Sequence, residues 1–174
     1  MDFSQFVSQV GTQVSAQKGD HIYRQGDQDR HIYVVKKGLL KAYYLSMDGK
    51  EKVKSLLLPG AFIGSMTACH SKQTCSFSLM CLEDTDLYRL PFDELKRISK
   101  ENMQVAQYMI QGLLELAMKK ERREYEFLCL TAEDRYRLML EREPTMVDRV
   151  TQNDIARNLG ITPVALSRIK SRLS

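Results

Sequence analysis

The sequence predicts an α+β fold in three parts: a β-roll or jelly roll of short strands, a long dimerisation helix, and a C-terminal helix-turn-helix. Three observations predict it. Turn signals recur at short intervals up to about residue 90, with apolar runs between them. The stretch 92–128 then has no proline and one glycine, Gly112. The last 24 residues hold two capping residues on either side of one turn glycine. The parts are expected at residues 1–98, 99–128 and 129–174.

In the first part the turn signals are Lys18-Gly19-Asp20, Gln25-Gly26-Asp27, Lys37-Gly38, Asp48-Gly49-Lys50 and Pro59-Gly60. Between them lie the runs HIYVV, LLKAYYL, KVKSLLL, CSFSLMCL and LYRL. Asp48-Gly49 between two such runs is the strongest hairpin signal. Cys75, Phe77, Leu79 and Cys81 alternate with Ser76, Ser78 and Met80, which puts one apolar face on a half-buried strand.

The helical stretch carries Val105, Met109, Gly112 and Leu116 at spacings of four, three and four, the pattern of a heptad seam. A second set, Ala106, Ile110, Leu113 and Ala117, accompanies it. A helix packed on one domain needs one stripe, so two stripes imply two partners: its own β domain and a second copy. Val105, Met109, Gly112 and Leu116 are the expected dimer interface. The competing reading is a helix buried inside a larger monomer. Gly112 costs the helix about 1 kcal/mol relative to alanine but lets two backbones approach.

The last part opens with Thr131-Ala132-Glu133-Asp134, a capping-box pattern, and its first helix should stop before Pro144. Thr151 then caps a short helix with Ile155, Ala156 and Leu159 as its apolar side. Gly160 supplies the turn, Thr162 is a second cap, and Pro163 takes the first helical position, where its missing N–H costs nothing. Residues 150–174 hold four basic residues (Arg157, Arg168, Lys170, Arg172) against Asp154 alone, most of the formal excess of +4. Basic side chains and helix N-termini suit phosphates, while side chains near the start of the second helix suit base edges. The expected DNA-facing set is Thr151, Gln152, Thr162, Pro163, Val164, Ser167, Arg168, Lys170 and Arg172, with Arg168 as the guanine-reading candidate. The bland alternative is a helical hairpin with a solvated basic face.

Composition narrows the classes. The 26 lysines and arginines against 22 acids permit a polyanionic partner without requiring one. The N-terminus MDFSQFVSQV has no basic segment followed by a long apolar run, so neither a targeting segment nor a membrane span is expected, and the cytoplasm is the expected compartment. Cys69, Cys75, Cys81 and Cys129 do not make a disulfide framework and are read as reduced thiols. No paired carboxylates, Ser/His/Asp set, phosphate loop or metal-ligand spacing appears, so no enzyme, catalytic residue, metal or cofactor is expected.

At this point the order of parts resembles the cyclic AMP receptor protein / fumarate-nitrate reduction regulator (Crp/Fnr) family. The most specific matches are Lys36-Lys37-Gly38, Leu58-Pro59-Gly60-Ala61-Phe62-Ile63-Gly64, and Asp154-Ile155-Ala156 through Leu166-Ser167-Arg168-Ile169. The resemblance implies a cyclic-nucleotide-binding-type β-roll, a homodimer on double-stranded DNA, ligand-linked repositioning of the DNA-binding parts, and RNA polymerase as a candidate partner. Three departures qualify it. Where cyclic AMP-binding members carry a ribose-binding Glu and a phosphate-binding Arg-Ser pair, this chain reads Gly64-Ser65-Met66 and Cys75-Ser76. A cyclic phosphate would lose a charge-assisted bidentate contact, so weak or no cyclic AMP binding is expected, leaving two alternatives: an unknown small-molecule effector in a pocket of Gly64, Ser65, Met66, Cys75 and Ser76, or an orphan regulator that needs no ligand. Pro163-Val164 replace the Arg-Glu pair of the cyclic AMP receptor's recognition helix, while Arg168 matches a base-contacting arginine, so the operator should differ. The sequence also stops at Ser174, where the family continues into a β-hairpin wing, so affinity is expected to lean on the dimer and on the basic end of the long helix.

Cys75 and Cys81 read as core. Cys69 and His70 fall in an expected loop and are the better redox-sensor candidates, while His21 and His31 should cover the surface. The family's iron–sulfur sensors take most ligands from an N-terminal cysteine cluster that this sequence lacks. A second functional reading is therefore a ligand- or redox-sensing module acting mainly through protein partners.

Overall fold

A computed structural model describes residues 3–173. The chain divides between Ile110 and Gln111 into two compact units.

The first unit opens with α1 (Phe3–Val10), followed by β1 (Thr12–Ala16), β2 (His21–Tyr23), β3 (His31–Lys37), β4 (Leu40–Leu45), β5 (Glu51–Leu57) and β6 (Phe62–Ile63). Helix α2 (Met66–Ser71) precedes β7 (Ser78–Cys81) and β8 (Thr85–Pro91), and α3 (Phe92–Glu101) closes the β region. Two antiparallel four-stranded sheets form, in the orders β1-β8-β3-β6 and β2-β7-β4-β5. That strand order is a jelly-roll arrangement. The turn glycines at 19, 26, 38, 49 and 60 all have φ between +76° and +97°, which is why these turns demand glycine.

Alternation along the strands makes two cores. Tyr33 and Val35 of β3 and Leu87 of β8 point between the sheets, with Tyr23, Leu40, Phe77, Leu79 and Cys81. The intervening Val34 and Leu90 lie on the other face and pack with Phe6, Val7, Leu95 and Val105 from the helices. Cys75, Phe77, Leu79 and Cys81 are all buried, as their alternation predicted.

The expected helix over 99–128 is in fact two helices, because α3 ends at Glu101 and α4 runs over Met103–Cys129. Asn102 makes the break. Its backbone is extended (φ −129°, ψ 107°) and its N–H donates to Ile98 O. Its side-chain oxygen accepts from the N–H groups of Gln104 at 3.0 Å and Val105 at 3.3 Å, capping the next helix.

The second unit holds the rest of α4, then α5 (Ala132–Arg142), α6 (Pro144–Val147), α7 (Gln152–Leu159) and α8 (Pro163–Leu173). The capping box at Thr131 and Asp134 forms with both reciprocal bonds, and α5 stops before Pro144. Pro144 itself starts the one-turn α6. Among the described residues, no helix is long and apolar enough to cross a membrane.

Candidate nucleic-acid interface

Helices α7 and α8 are built by the local signals that marked them. Thr151 Oγ1 accepts from Asp154 N–H at 3.2 Å, and Thr162 Oγ1 accepts from Ala165 N–H at 3.2 Å. Gly160 turns the chain at φ 73°, ψ 25°. Ile155, Ala156 and Leu159 of α7 and Leu166 and Ile169 of α8 are buried. With those residues inside, Thr162, Pro163, Val164, Ser167, Arg168 and Ser171 stand exposed. Gln152, Pro163, Ser167, Lys170 and Ser171 line one shallow groove, so the first helix contributes to the surface that α8 presents. Val164 is 63% exposed, an apolar side chain at the start of a helix that its own unit does not cover.

Electrostatics at this surface is more selective than the charge count implied. Arg157 lies 3.7 Å from the Asp154 carboxylate, and Arg172 pairs with Glu133 of α5 at 2.9 Å. Arg172, expected on DNA, therefore already has an anionic partner, although an exposed pair of this kind is weak and exchangeable. Arg168 stays on the outward face. Thr151 and Thr162 each commit a hydroxyl oxygen to a cap, so their first role is to fix the helix starts.

Of the expected dimer seam, Val105 is taken up by the core of its own unit. Val105 is 1% exposed and belongs, with half-buried Met109, to the core formed with Phe6, Val7, Leu90 and Leu95. Gly112 and Leu116 are half-buried. The exposed apolar face of α4 is instead Ile110, Leu113, Leu114, Ala117 and Met118, continuing to Tyr125 and Leu128. At 3.6 residues per turn the stripe of Ala106, Ile110, Leu113 and Ala117 is turned by about 100° from that of Val105, and Leu114 and Met118 lie farther round, nearly opposite Val105. Periodicity identified two stripes but not that Val105 and Met109 pack with α1 and α3.

The predicted effector residues do come together around Ser65. Its buried Oγ accepts from Ala68 N–H at 3.4 Å, capping α2, and from Ser76 N–H at 3.2 Å. Cys75 is buried and its thiol donates to Asp29 O at 3.6 Å. Gly64 is required by close approach, because a Cβ there would lie 2.7 Å from His31 O. Met66 is half-buried and Ser76 exposed. Beneath them, Tyr23, Tyr33 and Phe77 fill the space between the sheets, Tyr23 lying 6.0 Å and 5.6 Å from the other two rings. Tyr33 donates to the Asp29 carboxylate at 2.8 Å, whereas the Tyr23 hydroxyl is buried without a partner. Burial raises both phenols above their ordinary range.

Cys69 is also not where it was expected. It sits on α2 rather than in a loop, is 1% exposed, and donates to His31 O at 3.7 Å. Burial, aided by the Asp29 charge, pushes its thiol up to about 12. His70 beside it is exposed. His21 and His31 are half-buried rather than superficial, their rings meeting the Tyr43 hydroxyl at 2.9 Å and Asp29 at 3.3 Å. Phe127, Arg123 and Arg135, which bear on α7, had no local signal in the sequence.

Residues 13–102 match the family model described as Cyclic nucleotide-binding domain. Regulatory protein HlyX of Actinobacillus pleuropneumoniae is 27% identical over 168 residues, covering 90% of this chain and 69% of its own. The Anaerobic regulatory protein of Pasteurella multocida is 28% identical over 171 residues, covering 90% of this chain and 61% of its own. The chain therefore spans 61–69% of the length of these curated relatives, both named as regulatory proteins. The solved structure of FixK2 from Bradyrhizobium japonicum shares the fold, with a TM-score of 0.81 at 23% identity over 94% of this chain and 84% of that one.

Proposed function

The chain belongs to the cyclic nucleotide-binding domain family and is a transcription regulator of the Crp/Fnr type; from that premise we propose that two copies, joined along the outward face of α4, set their α8 helices into successive major-groove half-sites of one operator. Regulators of this type bind DNA and act as dimers. The observation that carries the reading is the uncovered start of α8, where Pro163, Val164, Ser167 and Arg168 project from a helix pair locked by its own core. Arg168 would read a guanine through its two N–H donors, and Pro163 and Val164 would meet a thymine methyl. Ser167, Lys170 and Arg172, with Gln152 and the capped N-termini at Thr151 and Thr162, would hold phosphates. At a promoter the protein partner would be RNA polymerase.

The sensor side is read as closed to a cyclic nucleotide. Neither Ser65 nor Cys75 can replace a guanidinium, and Ser65 Oγ and the Cys75 thiol are already engaged. The Asp29 carboxylate, bonded to Tyr33, would repel a cyclic phosphate brought near it. Any effector should be small and neutral.

The test is selection of binding sites from a random duplex pool with the wild-type chain and with Arg168→Ala. The variant should bind about 5–150-fold more weakly, about 1–3 kcal/mol, and lose preference at one base pair per half-site. An unchanged site preference in Arg168→Ala would remove that residue from base reading.

A further inference from the structure

Helix α7 ends, like any helix, in four carbonyls that its own ladder leaves unpaired. Two are closed locally: Ile161 N–H donates to Ala156 O at 3.0 Å and Gly160 N–H to Arg157 O at 3.4 Å. The other two go to arginines outside the motif. Arg123 of α4 donates through Nη2 to Asn158 O at 3.1 Å, and Arg135 of α5 donates through Nη2 to Leu159 O at 3.0 Å. The Nη1 of Arg135 also reaches the end of α4, donating to Leu130 O at 2.7 Å and to Glu126 O at 3.4 Å.

One guanidinium thus joins the C-terminal ends of two helices, where the dipoles favour a cation. Phe127 completes the joint. The guanidinium carbons of Arg123 and Arg135 lie 4.6 Å and 4.5 Å from its ring centroid. The ring also reaches the turn between α7 and α8, where a Cβ on Gly160 would fall 2.9 Å from Phe127 Cε1. A plain apolar contact would hold the helices together without fixing their angle. Planar groups bonded to named carbonyls on both helices fix it as well.

We propose that Arg123, Phe127 and Arg135 are positioning residues for operator binding: they lock α7 onto the last turns of α4, so that the helix joining the two copies also sets the direction of α8. This rests on the DNA reading above and adds a specificity to it, namely the separation of half-sites. One inserted base pair moves a half-site by about 3.4 Å and turns it by about 34°. A locked pair of heads cannot follow that change, and the second engagement is lost with its avidity.

The experiment measures affinity for three duplexes derived from the selected site: the site itself, the site with one central base pair added, and the site with one half scrambled. The proteins are wild type, Phe127→Leu, which keeps apolar bulk without the π face, and Arg135→Lys, which keeps the charge without the fork. Wild type should lose about tenfold or more on the insertion, and each variant about twofold or less, because a loosened joint tolerates the new spacing. On the half-scrambled duplex all three should agree within about twofold, since one head binds alone there. Cooperative melting of either variant is enough to show that it is folded. Variants with the wild-type insertion penalty would overturn the lock, as would a wild type indifferent to the insertion or variants equally weakened on the half-scrambled duplex. A wild type that selects no duplex fails differently, by removing the DNA reading itself.

Discussion

The two faces of α4 make opposite predictions for two substitutions, Leu114→Asp and Val105→Ala. Ile110, Leu113, Leu114 and Met118 retain 53–59% of their exposure. Fully burying a side chain of this size stabilises by about 1.5–3 kcal/mol, so covering the remaining half gives about 1 kcal/mol each. Summed over both copies, that is roughly 6–13 kcal/mol, comparable to the 4–15 kcal/mol that association costs. The margin is thin, and one position should decide it. Leu114→Asp removes about 1 kcal/mol from each copy, raising the dimer Kd about 30-fold before any repulsion between facing carboxylates. Val105, 1% exposed in the core of its own unit, should behave otherwise. Val105→Ala should cost about 1–3 kcal/mol of unfolding free energy with an unchanged dimer Kd. Sedimentation equilibrium reads the Kd and urea unfolding reads the stability. Dissociation by Val105→Ala, or a dimer indifferent to Leu114→Asp, would refute the assignment of faces.

Four further outcomes follow. Gly160→Ala should destabilise by about 1–2 kcal/mol, since alanine resists the left-handed backbone, and its Cβ would press on Phe127; thermal melting measures it. In native protein at neutral pH a thiol reagent should label Cys129 and leave Cys69, Cys75 and Cys81 unmodified, with mass spectrometry of digested peptides as the check. Because Cys69 ionises near 9.0 when unfolded and near 12 when folded, the folded state keeps its proton longer, and stability should fall as pH rises across that window. Arg172→Ala should change stability by less than about 1 kcal/mol, the worth of its exposed pair with Glu133, while lowering the salt slope of DNA binding by about one.

The parts of the fold that were legible in the sequence are those with local causes. The turn glycines between the strands sit at positive φ, and the caps at Thr131, Thr151 and Thr162 formed as their spacing required. Helices α7 and α8 were readable to within a residue because start, turn and apolar side are all encoded within 24 residues. What escaped depends on partners distant in sequence. Asn102 breaks the long helix although nothing around it is a proline or glycine. Val105 and Ile110 lie on rival apolar stripes, and only the packing of α1 and α3 decides between them. Cys69 looked like a loop residue because its helix is six residues long and capped by Ser65, a cap not recognised in the sequence. Arg135 has partners 5, 9 and 24 residues away, which no short motif encodes.

Hydroxyl-radical footprinting on a selected duplex asks most directly whether paired α8 helices grip DNA. Two protected patches related by a two-fold axis, on one face of the duplex and separated by about 34–36 Å, are the expected result. One patch without a symmetry mate, or none at all, would contradict it.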